Sequence, residues 1–123
     1  KPWLPVNANC AAGVNVADQQ SDSNSLWQTY RTLLHIRQQN PALIDGDYQP
    51  LLEKDAEVLA FIRSTASQRC LVILNTASEE RSIRLKQLMQ TREVIYTSTS
   101  RPLPDWADLT LAPFEILLLA LPV

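Results

Sequence analysis

The chain has 123 residues, 46% of them hydrophobic and 20% charged, with a formal net charge of −2. That length suits one domain with a core of its own, and so weak a charge offers no footprint for nucleic acid or an anionic membrane. No apolar run approaches the roughly 18 residues that a spanning helix needs, and no signal-peptide pattern opens the chain, so a cytoplasmic protein is expected.

Two further counts narrow the chemistry. Cys10, Cys70 and the single histidine, His35, make no familiar zinc set, so neither metal nor cofactor is expected. The cysteines read as two free thiols, although spacing alone leaves a disulfide open. The only glycines are Gly13 and Gly46, where average usage would give about eight or nine, and they cannot form a phosphate-cradling loop. The chain starts at Lys1 and its single methionine is Met89, so it reads as lacking a natural start.

Residues 1–21 (KPWLPVNANCAAGVNVADQQS) show neither helical nor alternating periodicity. Trp3, Leu4, Val6, Val14 and Val16 nevertheless want burial. The stretch therefore reads as an irregular leader cut away from what it packs on.

Residues 22–41 (DSNSLWQTYRTLLHIRQQNP) carry the one convincing helix. Asp22 is the expected N-cap, and Asn40 before Pro41 the stop. At about 100° per residue, Leu33, Leu26, Tyr30, Leu34 and Trp27 share one arc, with Ile36 at its edge. That arc spans about 180°, wider than the stripe of about 100° typical of a helix covering a single core. The helix is thus expected to meet more than one partner.

From residue 48 the period changes to that of strands. Short strands are expected at 48–52, 57–63, 70–76, 81–85, 92–97, 109–111 and within 113–121. Residues 86–91 are left as a loop or one helical turn. Residues 45–47 are expected to form a turn, with Gly46 there to supply any positive φ needed. The segments EVLAFIR and CLVILNT are apolar on both faces, as central strands of a covered sheet should be. One helix followed by about seven strands on hairpin-length connections predicts a mainly β fold, an antiparallel sandwich with one packed N-terminal helix.

Candidate chemistry is sparse. His35 lies on the polar side of the helix and reads as a surface residue. Asp45, Asp47, Glu53, Asp55 and Glu57 flank turns and read as solvated charges rather than a catalytic pair. Trp27 is assigned to the core, while Trp3 and Trp106 are the candidate sugar contacts. Arg37 falls in the middle of the apolar arc and is expected to be a buried structural charge, with a carboxylate or several carbonyls in reach.

Two stretches together carry a resemblance. KPWLPVNAN at 1–9 and SLWQTYRTLLHIRQQNPALIDGDYQPL at 25–51 resemble the C-terminal region of α-glucosidases, in the oligo-1,6-glucosidase branch of the α-amylase superfamily. The later segments EVLAFIR, CLVILNT and LAPFEILLLAL suit the Greek-key-like C-terminal sandwich of that family. Ala8-Asn9-Cys10 departs from relatives that carry proline and an aromatic there. The resemblance implies that residues 1–41 are an irregular leader and the last helix of a truncated (β/α)8 barrel, with 42–123 the sandwich. It also implies a retaining glycoside hydrolase whose aspartate nucleophile, glutamate acid/base and second aspartate lie upstream of Lys1. No catalytic residue is then assigned here. The chain would brace the catalytic barrel, meet α-glucan oligosaccharides only through the parent enzyme, and self-associate through its exposed helix face when alone. The rival readings are an independent carbohydrate-binding sandwich and a protein-interaction sandwich.

Overall fold

The computed structural model describes residues 3–102 and 107–123. The chain divides into two units, Lys1–Gln39 and Asn40–Val123, and each is taken by itself.

The first unit is helical, and more so than its sequence suggests. A 3-10 turn spans Ala8–Ala12, opened by the Asn7 side chain accepting from the Asn9 N–H. Helix α1 covers Val16–Ser21, and the Asn15 side chain accepts from the Asp18 N–H to cap it. Helix α2 covers Leu26–Gln39. Asp22 is therefore not the cap of the long helix; it ends α1, and its carboxylate accepts from the Asn24 N–H. Ser25 takes the capping role, because its hydroxyl sits between two helices. It accepts from the Gln28 N–H and donates to the Gln19 carbonyl. The Gln19 side chain also accepts from the Trp27 N–H, and the Gln28 amide donates to the Gln20 carbonyl. Three of these bonds lock α1 across the N-terminus of α2, and the fourth, within the cap, helps satisfy donors that a helix start otherwise leaves unpaired.

The second unit begins where Asn40 is extended and Pro41 occupies the first turn of α3, Pro41–Asp45. The seven strands then follow in sequence: β1 Asp47–Leu51, β2 Val58–Ser64, β3 Arg69–Asn75, β4 Arg81–Arg84, β5 Glu93–Thr97, β6 Asp108–Leu111 and β7 Ile116–Leu121. A single 3-10 turn, Lys86–Gln90, precedes β5. All pairings are antiparallel, in a five-stranded sheet ordered β1-β2-β3-β7-β5 and a two-stranded sheet β4-β6. The chain crosses between the sheets after β3, and β7 returns to lie between β3 and β5. The sandwich expected from the strand pattern is therefore the fold observed.

The core lies between the two sheets. Ala60, Ile62, Leu71, Ile73, Leu117 and Leu119 of the large sheet pack with Ile83, Leu109 and Leu111 of the small one, and Leu88 of the 3-10 turn completes the cluster. The register places these residues in cross-strand rows, such as Ala60–Ile73–Leu117 and Ile62–Leu71–Leu119. The opposite face of the large sheet differs from expectation. β2 is not buried on both faces: burial alternates along it, and Leu59 is 46% exposed. The small sheet can cover only one side, so Leu59 and its neighbour Phe61 on β2 remain open or half-open within this unit.

No positive φ is needed at Gly46. Its φ is −64°, which any residue adopts. The constraint is space, since a Cβ there would stand 2.3 Å from the Ala42 carbonyl oxygen and 2.9 Å from the Ser64 nitrogen. Both atoms are backbone and cannot swing aside. Gly46→Ala should destabilise the sandwich by about 1–3 kcal/mol, read as a lowered thermal midpoint with the folded spectrum otherwise unchanged.

Candidate functional site

Among the described residues, the acidic side chains of the sandwich do not assemble into a paired or metal-holding group. Asp45, Asp47, Glu53, Asp55 and Glu57 are all exposed. The Asp55 carboxylate accepts from the Glu57 and Val58 N–H groups, which fixes the turn into β2. Glu57 pairs with Arg81, and the Arg81 hydrogen bond holds its carboxyl below the usual range. Both side chains are solvated, so the pair adds little to stability. Among the described residues, no group of three or more His, Cys, Asp or Glu side chains could hold a metal ion. Among them, too, no helix is long and apolar enough to cross a membrane. Cys10 and Cys70 are free thiols, and burial pushes the Cys70 thiol up.

A concentrated polar cluster among the described residues is structural, and the sequence reading missed it. The Glu115 side chain has no solvent exposure. Both carboxylate oxygens face the Arg101 guanidinium, with Nη2 at 2.7 Å from Oε2. The Thr99 hydroxyl donates to Oε1 at 2.7 Å, and the Ala112 N–H to Oε2 at 2.8 Å. Arg101 also donates to the Thr110 carbonyl, tying the segment after β5 to β6. Next to it, the Asn75 amide donates to the carbonyls of Glu79 and Ala112. The available signal was one charge within an otherwise apolar stretch, residues 111–121. Burial raises the Glu115 pKa, but the Arg101, Thr99 and Ala112 hydrogen bonds outweigh it and hold the carboxyl below its ordinary value. A carboxylate so enclosed, with both oxygens already bonded, has no side open to a substrate.

The first unit presents a different kind of site. Helix α2 has no buried residue. Leu26, Tyr30 and Leu34, spaced four apart, are 65%, 63% and 55% exposed and form one continuous stripe. Leu33 and Ile36 on one edge of the arc are half-buried, as is Trp27 on the other. Trp27 is thus not a core residue; the Arg31 guanidinium lies 5.5 Å from its ring centroid, in cation–π range. Arg37 is not buried. It is exposed within the stripe, because the apolar side chains around it are themselves uncovered. His35 is exposed on the other side, with the Gln39 amide 2.9 Å from Nε2 and no nucleophile in contact. Trp3 is 91% exposed, and Trp106 lies outside the described residues.

The second unit is thus an antiparallel sandwich, and the first carries a helix with an open apolar stripe. The comparisons with known proteins agree. Residues 48–118 match the family described as Maltogenic Amylase, C-terminal domain. The chain belongs to this family of C-terminal domains, found in enzymes of the α-amylase superfamily. Among curated relatives, a glucan 1,6-alpha-glucosidase of Streptococcus pneumoniae is 34% identical over 86 residues, which is 70% of this chain and 16% of that protein. An oligo-1,6-glucosidase of Bacillus cereus is 27% identical over 126 residues, covering 98% of this chain and 22% of its own length. Among solved structures, the trehalulose synthase of Pseudomonas mesoacidophila MX-45 superposes with a TM-score of 0.89 at 34% identity, over 99% of this chain and 22% of that one. An isomaltulose synthase of Erwinia rhapontici NX5 gives 0.86 at 30%, over the same shares. The chain thus spans about a fifth of the length of these relatives.

The Glu115 cluster makes its own prediction. Because the folded pKa lies below the ordinary value of 4.5, the ionised pair stabilises the fold above that value. The contribution is lost as pH falls through the depressed folded pKa. Glu115→Ala should cost about 3 kcal/mol at neutral pH by leaving the Arg101 charge half-enclosed and unpaired. Denaturant melts between pH 7 and pH 2 should show a shallower acid loss for this variant than for the wild type.

Proposed function

We propose that this chain is a non-catalytic part of a longer α-glucosidase-like glycoside hydrolase, in which it braces the catalytic barrel. The carrying observation is the Leu26–Tyr30–Leu34 stripe, more than half exposed on a helix with no buried residue. Covering each such side chain is worth roughly 1.5–3 kcal/mol when complete, so α2 is built to be covered. Residues 1–41 then serve as the leader and last barrel helix, and 42–123 as the sandwich. The parent enzyme hydrolyses or transfers α-glucosyl units of oligosaccharides by a retaining mechanism, using carboxylates that this chain does not hold. The names of the relatives support that substrate class: two are 1,6-glucosidases, and the superposed structures are a trehalulose synthase and an isomaltulose synthase.

The reading makes two tests available. The 123-residue chain by itself should give no turnover on α-1,4- or α-1,6-linked glucosides; sustained release of glucose at enzyme-like rates would refute it. In sedimentation experiments it should self-associate at micromolar concentrations, and the double substitution Tyr30→Ser with Leu34→Ser should return it to monomer. A wild-type chain that stays monomeric throughout that range would count against an uncovered seam.

A second reading is favoured by one observation only, the 91% exposure of Trp3. An aromatic so open suits stacking on a sugar ring. Under the bracing reading, titration with maltooligosaccharides should leave tryptophan fluorescence unchanged. Saturable quenching abolished by Trp3→Ala would favour a carbohydrate-binding module instead.

A further inference from the structure

The open face of α2 carries a charge that tells what must cover it, and this inference rests on the bracing reading above. Arg37 stands three residues after Leu34 and seven after Tyr30, inside the exposed stripe. No acidic residue occurs between Asp22 and Asp45, so the formal charges of this stretch are Arg31 and Arg37, both positive. Arg31 is engaged over the Trp27 ring. His35 is at the opposite side with Gln39. The Arg37 guanidinium has no hydrogen-bond or ion-pair partner among the described residues, and the residue is exposed. In solvent that costs nothing. Once the stripe is covered, however, the guanidinium loses water along with its apolar neighbours, and a desolvated, unpaired cation is strongly destabilising.

We propose that the surface seated on α2 belongs to the catalytic part of the same enzyme, is apolar around Leu26, Tyr30 and Leu34, and bears one carboxylate opposite Arg37. Arg37 is then the polar anchor of the seam. It fixes which turn of α2 meets which point of its partner, while the three apolar residues supply area without register. The planar fork of arginine donates two parallel hydrogen bonds to a carboxylate, which lysine cannot reproduce. A bland alternative exists: Arg37 lies in the last turn of α2, where a cation interacts favourably with the helix dipole while fully solvated. The two assignments differ in where the charge matters.

The test compares Arg37→Met, Arg37→Lys and Leu34→Ser in the longer enzyme chain and in the 123-residue chain alone. In the longer chain Arg37→Met and Leu34→Ser should each lower the thermal midpoint by about 3 °C or more, with Arg37→Lys intermediate. In the 123-residue chain Arg37→Met should leave the midpoint unchanged. The facing carboxylate is recognised by a double-mutant cycle: its Asn or Gln variant destabilises the wild-type enzyme and costs nothing further when Arg37 is already Met. If Leu34→Ser destabilises the long chain and Arg37→Met does not, the anchor is wrong and the bracing reading stands. If Leu34→Ser has no effect there, the stripe is not covered and both fail. Equal loss with Arg37→Met in the two chains would assign Arg37 to the helix dipole. A complete Asp and Glu scan without a coupled residue would overturn the carboxylate.

Discussion

Burial of one face of the five-stranded sheet is the constraint on which the remaining architecture rests. The rows Ala60–Ile73–Leu117 and Ile62–Leu71–Leu119 need a cover across three adjacent strands. The cover consists of only two short strands, supplemented by the 3-10 turn that inserts Leu88. Two strands form a marginal sheet by themselves. β4 and β6 are therefore stable as a lid because Ile83, Leu85, Leu109 and Leu111 are buried beneath them. Their outer faces carry Ser82, Arg84, Asp108 and Thr110, which pair across the ladder and stay in water. The alternation along each strand follows from this single-sided cover.

A lid of that size needs its ends fixed, and the Glu115 cluster does so. Arg101 comes from the segment after β5, Thr110 from β6, Ala112 from the turn beyond it, and Glu115 from the entry to β7. The Glu115 carboxylate thus holds the segment after β5 and the turn beyond β6, and Arg101 extends the link to β6 itself. Asn75 performs the neighbouring task at the end of β3, through its bonds to Glu79 and Ala112. An apolar substitute of equal volume need not be less stable than a buried ion pair. What the pair adds is definition: hydrogen bonds fix the crossover geometry, where hydrophobic contact alone would tolerate sliding.

The strands were legible because alternation is a local signal, and all seven occur near their expected positions. The sandwich followed from their spacing. The leader was less legible. Between Asn15 and Ser25 the chain offers Asn15, Asp18, Asp22, Ser23, Asn24 and Ser25, all competent caps. Choosing among them depends on whether a short helix folds back over the long one, and that is tertiary information. Gly46 was recognised for its conformational freedom rather than for the space it leaves, since the Ser64 backbone that crowds it lies far along the chain. Glu115 escaped because its partner Arg101 lies 14 residues away behind a connection. Arg37 was placed correctly on the helix face, but its burial was inferred on the assumption that the arc is already covered.

That last mismatch bears most directly on function. Each half-exposed side chain of the α2 stripe withholds on the order of 1–2 kcal/mol that full burial would supply. Three of them together approach the lower end of the 5–15 kcal/mol by which a whole domain is stable. Isolated helices of 14 residues are marginal in water, and tertiary packing ordinarily stabilises them. In this unit α1 secures only the first turn of α2. The rest of the helix is held by its own backbone bonds while its best packing surface stays open. A sequence under no demand to cover that surface would place polar residues there, as His35 and Gln39 do opposite. The open stripe is thus the feature of α2 on which the proposed bracing role rests.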